Sequence, residues 1–164
     1  MRRNLGVLVA VLAGGLAAAV APAVEKEQRI RKADLPEAVQ ATAEREAAGG
    51  SVREYAKAIE KGQVVYAMDV SVNGRAREVL IGADGNVVAV REDVPFAQLP
   101  PEIQAGLKQQ AGKGKIGKVI AFSKNTAVLG YEASVAAANG KTMKVEVGVD
   151  GKPPAPSGSP EPVP

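Results

Sequence analysis

One hairpin pattern occurs twice in this sequence. Residues 66–85 read YAMDVSVNGRAREVLIGADG, and residues 131–151 read YEASVAAANGKTMKVEVGVDG. In each copy an Asn-Gly pair stands between two alternating runs, and an Asp-Gly pair closes the second run. A two-residue Asn-Gly loop between such runs is the strongest short-range signal for a β-hairpin. Its recurrence, with the Asp-Gly pair at nearly the same distance, predicts a tandem repeat of one small unit.

A helix is predicted before each hairpin. Residues 34–47 (DLPEAVQATAEREA) and 98–111 (QLPPEIQAGLKQQA) share a Leu-Pro start followed by a Gln-Ala pair. Asp34 is expected to cap the first helix, with Glu37 completing a capping box, and glycines follow both helices. Four strands are predicted after the first helix, at 52–60, 66–72, 75–82 and 86–91. Three are predicted after the second, at 116–124, 127–138 and 141–149, because Pro153 and Pro154 prevent a fourth.

The predicted fold class is α+β, a tandem repeat of a helix plus an antiparallel β-meander with both helices on one face of the sheet. Strict alternation with one apolar face is typical of an antiparallel sheet covered on one side. The two halves are expected to share one hydrophobic layer, because each alone is small. Four residues of the last strand are predicted to point inward: Met143, Val145, Val147 and Val149. The opposite face is expected to be open to solvent or to a partner.

The two ends of the chain are predicted to lie outside this core. Residues 1–23 have a basic start, an apolar run and Ala-Pro-Ala, which indicates a signal peptide cut between Ala23 and Val24. An uncleaved membrane anchor is the alternative for this segment. Residues 24–32 are interpreted as a charged lead-in, either mobile or a helix extension, and residues 153–164 as a disordered Pro-rich tail. The first repeat then spans 33–93 and the second 94–152, in a periplasmic or secreted protein.

The composition excludes several classes of site. The chain has no cysteine, histidine or tryptophan, so disulfides, thiolate chemistry and imidazole ligands are excluded. No catalytic residue, cofactor site or metal site is predicted. Without residues 1–23 the chain has 19 basic and 18 acidic residues, which predicts neither nucleic-acid binding nor, after cleavage, membrane binding. The halves differ: residues 31–93 have a net charge of −2 and residues 94–152 of +4.

Three local patterns carry a chemical alternative to a structural role. Asp84-Gly85-Asn86 is interpreted as a tight turn rather than a calcium loop, because further acidic ligands are missing. Asp69 and Glu132 lie outward on equivalent strands, as solvated residues or as a carboxylate pair for acid–base work. A basic run surrounds Gly112 and Gly114, but these glycines follow a helix, whereas a phosphate loop precedes one. That run contains Lys108, Lys113, Lys115 and Lys118.

The order of these elements resembles the PepSY-like domain family, also described as β-lactamase-inhibitor-like. The shared pattern is a Leu-Pro helix start, a strand around an aromatic residue, then Y-x-x-x-V-x-x-N-G and V-x-I-x-x-D-G-x-V. It covers residues 33–91 and, as a shortened second copy, 97–151. The resemblance implies an exported protein of helix-on-sheet repeats, some members of which bind or inhibit enzymes through the exposed sheet face. It also implies an association with peptidase propeptides.

The sequence therefore predicts an exported, non-catalytic binding protein that modulates or inhibits a partner protein, such as a peptidase, in the cell envelope or medium. The alternative is a periplasmic sensor that binds a small ligand in a cleft between the repeats. An enzyme is the least favoured class, since only carboxylates and lysines are present to act. The shortened second repeat leaves an exposed edge, which permits a dimer by strand pairing. The candidate partner contacts are Tyr55, Asp69, Arg75, Arg77, Glu132, Lys144 and Glu146.

Overall fold

The protein forms one eight-stranded antiparallel sheet with two helices, in a computed structural model that describes residues 25–60, 62–137 and 139–154. The strands lie in the sheet in chain order, so each pairs with its neighbour in sequence. The α+β class predicted from the sequence is confirmed. The helices are α1 (Glu37–Glu46) and α2 (Pro101–Ala111). The strands are β1 (Glu25–Ile30), β2 (Gly50–Glu60), β3 (Gln63–Val72), β4 (Arg75–Gly82), β5 (Val87–Asp93), β6 (Lys115–Lys124), β7 (Ala127–Ala136) and β8 (Thr142–Gly148).

The first strand was not predicted. The interpretation of residues 24–32 as a mobile lead-in or a helix extension is wrong for 25–30, which form β1 and pair antiparallel with β2. Gln28 lies opposite Lys57, and Ile30 lies opposite Tyr55. Charged side chains are common on an edge strand, because they discourage pairing with other chains. The charges that made this segment look like a lead-in are therefore compatible with its position at the edge. The predicted signal peptide and its cleavage site lie outside the described residues.

A proline stands at the N-cap of both helices, and the predicted capping box between Asp34 and Glu37 does not form. Pro36 and Pro100 stand at the N-cap positions, with extended ψ angles of 149° and 146°. Asp34 lies one turn earlier and accepts a hydrogen bond of 3.0 Å from the Arg31 backbone N–H. Proline fixes φ and starts the helix two residues after Asp34, too far for that side chain to cap it.

A glutamine closes the start of each helix in the same way. Gln40 Nε2 donates to the Leu35 carbonyl at 2.8 Å, and Gln104 Nε2 donates to the Leu99 carbonyl at 2.9 Å. Leu35 and Leu99 are both buried beneath their helix. Each Leu-Pro start is therefore anchored by an apolar side chain and by one side-chain hydrogen bond, which explains why both residue types recur at this spacing.

The two Asp-Gly turns lie directly against the helices. Gly85 has a φ of 83°, and its carbonyl accepts a hydrogen bond of 2.6 Å from Thr42 Oγ1 on α1. A Cβ atom at Gly85 would come within 2.8 Å of the Ala38 carbonyl oxygen. Gly151, with a φ of 74°, lies in the same way against the backbone of Glu102 on α2. These turns therefore set the distance between each helix and the sheet.

The apolar core lies between the helices and one face of the sheet, and it forms two clusters instead of the single layer expected. One lies under α1 and contains Leu35, Val39, Ala43, Tyr66, Met68, Val70, Val79 and Ile81. The other lies under α2 and contains Leu99, Ile103, Leu107, Ala111, Val119, Ala133, Val135, Val145 and Val147. Between them, on the same face, Arg77 of β4 lies opposite Glu92 of β5. Because this charged pair occupies the junction, the apolar contacts are interrupted there.

Met143, Val145 and Val147 lie on the helix side, as predicted, but only the centre of β8 is buried. Val145 and Val147 are buried, but Met143 is 49% exposed and Val149 is 56% exposed. Met143 lies at the start of an edge strand, and Val149 follows the end of β8 in the turn, so neither is covered in the described part of the chain. Neither α1 nor α2 is long and apolar enough to cross a membrane, and the described residues contain no other candidate span.

Candidate interaction surface on the open face of the sheet

The sheet has one face that carries no helix in the described residues, which we call the open face. Residues directly opposite each other on antiparallel strands share a face, so the strand register shows which side chains line up there. One row crosses β2 to β6 through the middle of the open face, and we call it the central row. It consists of Glu54, Asp69, Glu78, Arg91 and Phe122, each directly opposite the next.

The first half of the central row is acidic and partly buried. Burial, followed by the charge of the neighbouring Asp69 carboxylate, raises the pKa of Glu78 to about 7. Burial, followed by the charge of Glu54, raises the pKa of Asp69 as well. Glu78 Oε1 is buried and has no hydrogen-bond partner among the described residues. A carboxylate held in this way gains from a donor or a cation brought by another molecule, because an unpaired buried acceptor costs about 1–3 kcal/mol.

Apolar side chains that are themselves buried lie next to the central row. Ala56, Ala67 and Leu80 lie on the open face, and they are only 1%, 4% and 6% exposed. They form a third cluster, against which Val88 and Ala89 pack. The open face therefore has a compact, buried apolar cluster beside a row of carboxylates.

The second half of the open face is linked by ion pairs between strands. Glu132 on β7 lies 3.0 Å from Lys144 Nζ and 3.9 Å from Arg91 Nη2. Lys118 Nζ lies 3.5 Å from Asp93 Oδ2. Glu132 is the most enclosed member, since its side chain is 15% exposed. The open face is thus acidic over β2 to β4 and mixed in charge over β5 to β8.

This arrangement does not support the carboxylate pair considered for Asp69 and Glu132. Both point to the open face, as the alternation predicts, but they lie on β3 and β7. Four strand spacings of about 4.8 Å separate these strands by about 19 Å. Acid–base carboxylate pairs in glycosidases, for example, lie about 5–9.5 Å apart. Asp69 has Glu78 as its neighbour instead, opposite it on β4.

The candidate partner contacts divide between the two faces. Asp69, Glu132, Lys144 and Glu146 lie on the open face. Arg75, Arg77 and Tyr55 lie on the helix side, where Arg75 pairs opposite Val72 and Tyr55 packs against the cluster under α1.

Arg77 connects the sheet to α1. Its guanidinium donates to the Glu46 carbonyl at 3.1 Å and to Glu46 Oε2 at 2.9 Å. Glu46 follows the last buried turn of α1, so this contact holds the end of the helix against β4. The structure therefore gives Arg77 a role in packing, whatever else it binds.

The residues missed at the sequence level are Glu54, Glu78 and Arg91. The hairpin register was the signal that would have found two of them. A two-residue loop at Asn73-Gly74 places Asp69 directly opposite Glu78, and the register of β2 with β3 places Glu54 opposite Asp69. The sequence pattern does not show how deeply Glu78 is buried. Its burial depends on the packing of neighbours such as Ala67 and Leu80.

No cofactor or metal geometry accompanies the open face. The described residues contain no group of three or more acidic, histidine or cysteine side chains that could hold a metal ion. Asp84 accepts hydrogen bonds from the Asn86 backbone N–H at 3.0 Å and from Asn86 Nδ2 at 2.7 Å, and these lower its pKa. This is the tight turn predicted for Asp84-Gly85-Asn86.

A depression on the surface does not lie in the cleft between the repeats, where a small ligand was expected. It has a volume of about 650 Å³ and adjoins β1 and the turn that precedes α1, instead of the junction between the two helical units. Its lining is mostly charged and exposed, and comprises Gln28, Arg29, Ile30, Arg31, Asp34, Lys57 and Tyr66.

The fold is shared with several solved structures. A BLIP-like protein from Bacteroides fragilis matches with a TM-score of 0.55 and 16% identity, over 73% of this chain and 82% of that one. A DUF2874 family protein from Bacteroides uniformis matches with a TM-score of 0.59 and 16% identity, over 72% and 85%. A protein from Bacteroides eggerthii, assigned provisionally to the periplasm, matches with a TM-score of 0.59 and 15% identity, over 73% and 85%. No family model matches the chain, and no curated protein matches it in sequence.

Proposed function

We propose that this chain is an exported, non-catalytic binding protein that modulates a partner protein through the open face of its sheet. The observation that carries the proposal is the central row, where Glu54, Asp69 and Glu78 lie side by side next to a buried apolar cluster. A buried oxygen of Glu78 has no hydrogen-bond partner among the described residues, so it gains from a donor that another protein brings. The partner is expected to present a basic side chain to Glu78.

The fold and the N-terminal segment support the location and the class. The chain shares its fold with a BLIP-like protein and with a protein assigned provisionally to the periplasm. Residues 1–23 have the layout of a signal peptide. Histidine and cysteine are missing from the sequence, so an imidazole general base and a thiolate nucleophile are missing too. Inhibition of an enzyme, such as a peptidase, is the form of modulation that the sequence resemblance favours.

The internal repetition supports the PepSY-like part of the proposal. A helix with a Leu-Pro start precedes β2–β5, and a second precedes β6–β8. Gln40 and Gln104 make the same hydrogen bond, and Gly85 and Gly151 make the same contact with the helix before them. We interpret these correspondences as two copies of one unit, the second lacking its last strand.

The test is a capture experiment in the native organism with matched variants. The exported chain, tagged at its C-terminus, is recovered from the periplasm and from the medium under several growth conditions. Asp69→Lys reverses a charge on the open face, and Glu37→Lys makes the same change at an exposed position on α1. A partner recovered at a fixed ratio with the wild type and with Glu37→Lys, but lost with Asp69→Lys, supports the proposal.

Two results contradict it. One is the recovery of no protein at a fixed ratio under any growth condition. The other is a partner that remains bound to Asp69→Lys and is lost only when residues on the helix side are changed. Thermal unfolding of each variant checks that a lost partner does not reflect a lost fold, since Asp69 is partly buried.

A further inference from the structure

The outer edge of β8 has no partner strand in the described part of the chain. In the first unit, β4 pairs with β5 along the corresponding edge. After β8 the chain turns through residues 149–152, where Gly148 N–H donates to the Lys152 carbonyl at 2.8 Å. Gly82 N–H makes the same bond to the Asn86 carbonyl at 2.8 Å before β5 begins. Pro153 and Pro154 then occupy the position where β5 would start, and neither has an N–H to donate.

This edge differs from the other end of the sheet. β8 pairs with β7 in unbroken register over seven residues, from Thr142 to Gly148. The register of β1 against β2 shifts between Glu25 and Gln28, and an irregular, charged edge resists pairing with another chain. β8 contains only two charged residues, and these have opposite signs: Lys144 and Glu146. A regular strand with few charges is the kind of edge to which another strand adds.

The sequence of β8 is complementary to itself in antiparallel orientation. If a second copy adds across a two-fold axis at Val145, Lys144 lies opposite Glu146 of that copy, twice. On the helix side, Met143 then lies opposite Val147, which would cover the half-exposed methionine. A two-fold axis perpendicular to the sheet keeps each face continuous, so each residue must lie opposite a residue of the same face. The axis therefore lies midway between one residue and its own copy. Moving it to Lys144 or to Glu146 would place like charges directly opposite each other, which is unfavourable.

We propose that β8 is a dimerisation edge, at which two copies pair antiparallel about Val145 to form a continuous sixteen-stranded sheet. The Gly148 N–H is already engaged, so the ladder between copies spans residues 143–147. Lys144 also contacts Glu132 of its own chain at 3.0 Å, and in the dimer it would lie between two carboxylates. The interface is short, so a weak and concentration-dependent dimer is expected. The proposal concerns an edge of the sheet and is independent of what the open face binds.

Charge reversal at Lys144 and Glu146 tests the register as well as the dimer. In Lys144→Glu the copies present two like-charged pairs, and in Glu146→Lys they do so with the other sign. The dimer dissociation constant of each single variant should be higher than that of the wild type by at most about tenfold, since cross-strand ion pairs contribute only modestly. A mixture of the two variants restores opposite charges at both positions, as does the double variant K144E/E146K.

Sedimentation velocity on the exported chain, as the cell processes it, measures the dimer. The expected result is a wild-type dimer, weakened in both single variants and recovered in their mixture and in the double variant. Glu37→Lys changes net charge as Glu146→Lys does, at a position on α1, and should dimerise like the wild type. A strictly monomeric wild type up to roughly 1 mM, the weak end of specific association, overturns the proposal. A dimer that the single variants do not weaken, or that their mixture does not restore, overturns it as well.

If Lys144→Glu fails to fold because it places three carboxylates together, Glu146→Lys and the double variant still decide. Glu146 lies opposite Glu132 within its own chain, so a lysine there removes a like-charged pair and should leave the fold intact. A dimer of Glu146→Lys as tight as the wild type would contradict the pairing about Val145.

Discussion

Glu78 on β4 lies directly opposite Asp69 on β3, and the two carboxylates share the open face of the sheet. Burial raises the pKa of both, for Glu78 to about 7. One oxygen of Glu78 has no hydrogen-bond partner in the part of the chain that the structure describes. The folded state is therefore favoured when Glu78 is protonated, and it bears an electrostatic cost when both groups are ionised.

The stability of the protein should decrease as the pH rises through this window. The pKa of Glu78 is raised from 4.5 on folding, so the folded state binds the proton more tightly than the unfolded state. The free energy of unfolding is then highest, as far as this group is concerned, below about pH 4.5, and it falls until about pH 7. The raised pKa of Asp69 acts in the same direction. Glu78→Gln should stabilise the protein at pH 8 by about 1–2 kcal/mol, less than the full shift because the side chain is partly solvated.

Urea unfolding at pH 4.5 and pH 8 measures this effect. The stabilisation by Glu78→Gln should nearly vanish at pH 4.5. Glu102→Gln, at an exposed position on α2, is the matched control and should be neutral at both values. Equal effects of the two substitutions at pH 8 would show that Glu78 bears no special cost.

The Asp-Gly turns should be far less tolerant of a side chain than the Asn-Gly turns. Gly85 and Gly74 have almost the same positive φ, 83° and 78°. A Cβ at Gly85 meets Ala38 of α1, whereas a Cβ at Gly74 meets nothing within 4 Å. Gly74→Ala should therefore cost only the conformational strain, about 1 kcal/mol. Gly85→Ala should cost about 2–4 kcal/mol, because the helix must also move.

Denaturant unfolding of the two variants gives the comparison directly. Because strain at the two positions is nearly equal, the difference between them isolates the contact with α1. Equal losses of stability would mean that the turn does not hold the helix at its distance from the sheet.

Arg77 should matter for stability, in contrast to its neighbour Arg75. Arg77→Ala removes two hydrogen bonds to Glu46 and leaves its partly buried carboxylate with only the longer contact to Arg45, at 3.9 Å. The expected loss is about 1–3 kcal/mol. Arg75→Ala, at the start of the same strand, should cost about 0.5 kcal/mol or less. Glu46→Gln keeps the backbone carbonyl and one side-chain oxygen as acceptors for Arg77. It should therefore lose less stability than Arg77→Ala. Thermal unfolding of the three variants orders them, and an Arg75→Ala loss as large as that of Arg77→Ala would contradict this assignment.

The sequence predicted the fold where local chemistry decides it, and it failed where position in the sheet decides. Asn73-Gly74 and Asn139-Gly140 indicated the hairpins, because glycine and asparagine accept positive φ. The alternation around Met68 and Val145 showed which face is buried. β1 was missed because the charges of an edge strand look like those of a linker. The burial of Glu78 was missed because it depends on residues of other strands, such as Asp69 and Ala67, which neighbour it only after the strands have paired.

The two helical units should unfold together even though their apolar clusters are separate. β5 and β6 are paired over five residues, from Ala89 opposite Lys124 to Asp93 opposite Ile120, so the sheet is continuous across the junction. A domain of about 60 residues buries only about 60% of its surface on folding and is marginally stable, so we expect each cluster to depend on the other. Ile103→Ala, on the buried side of α2, should lower the free energy of unfolding by about 2–4 kcal/mol. Hydrogen exchange in increasing denaturant should show β3 and β7 losing protection together. Loss of protection in β7 while β3 remains protected would show two independent units.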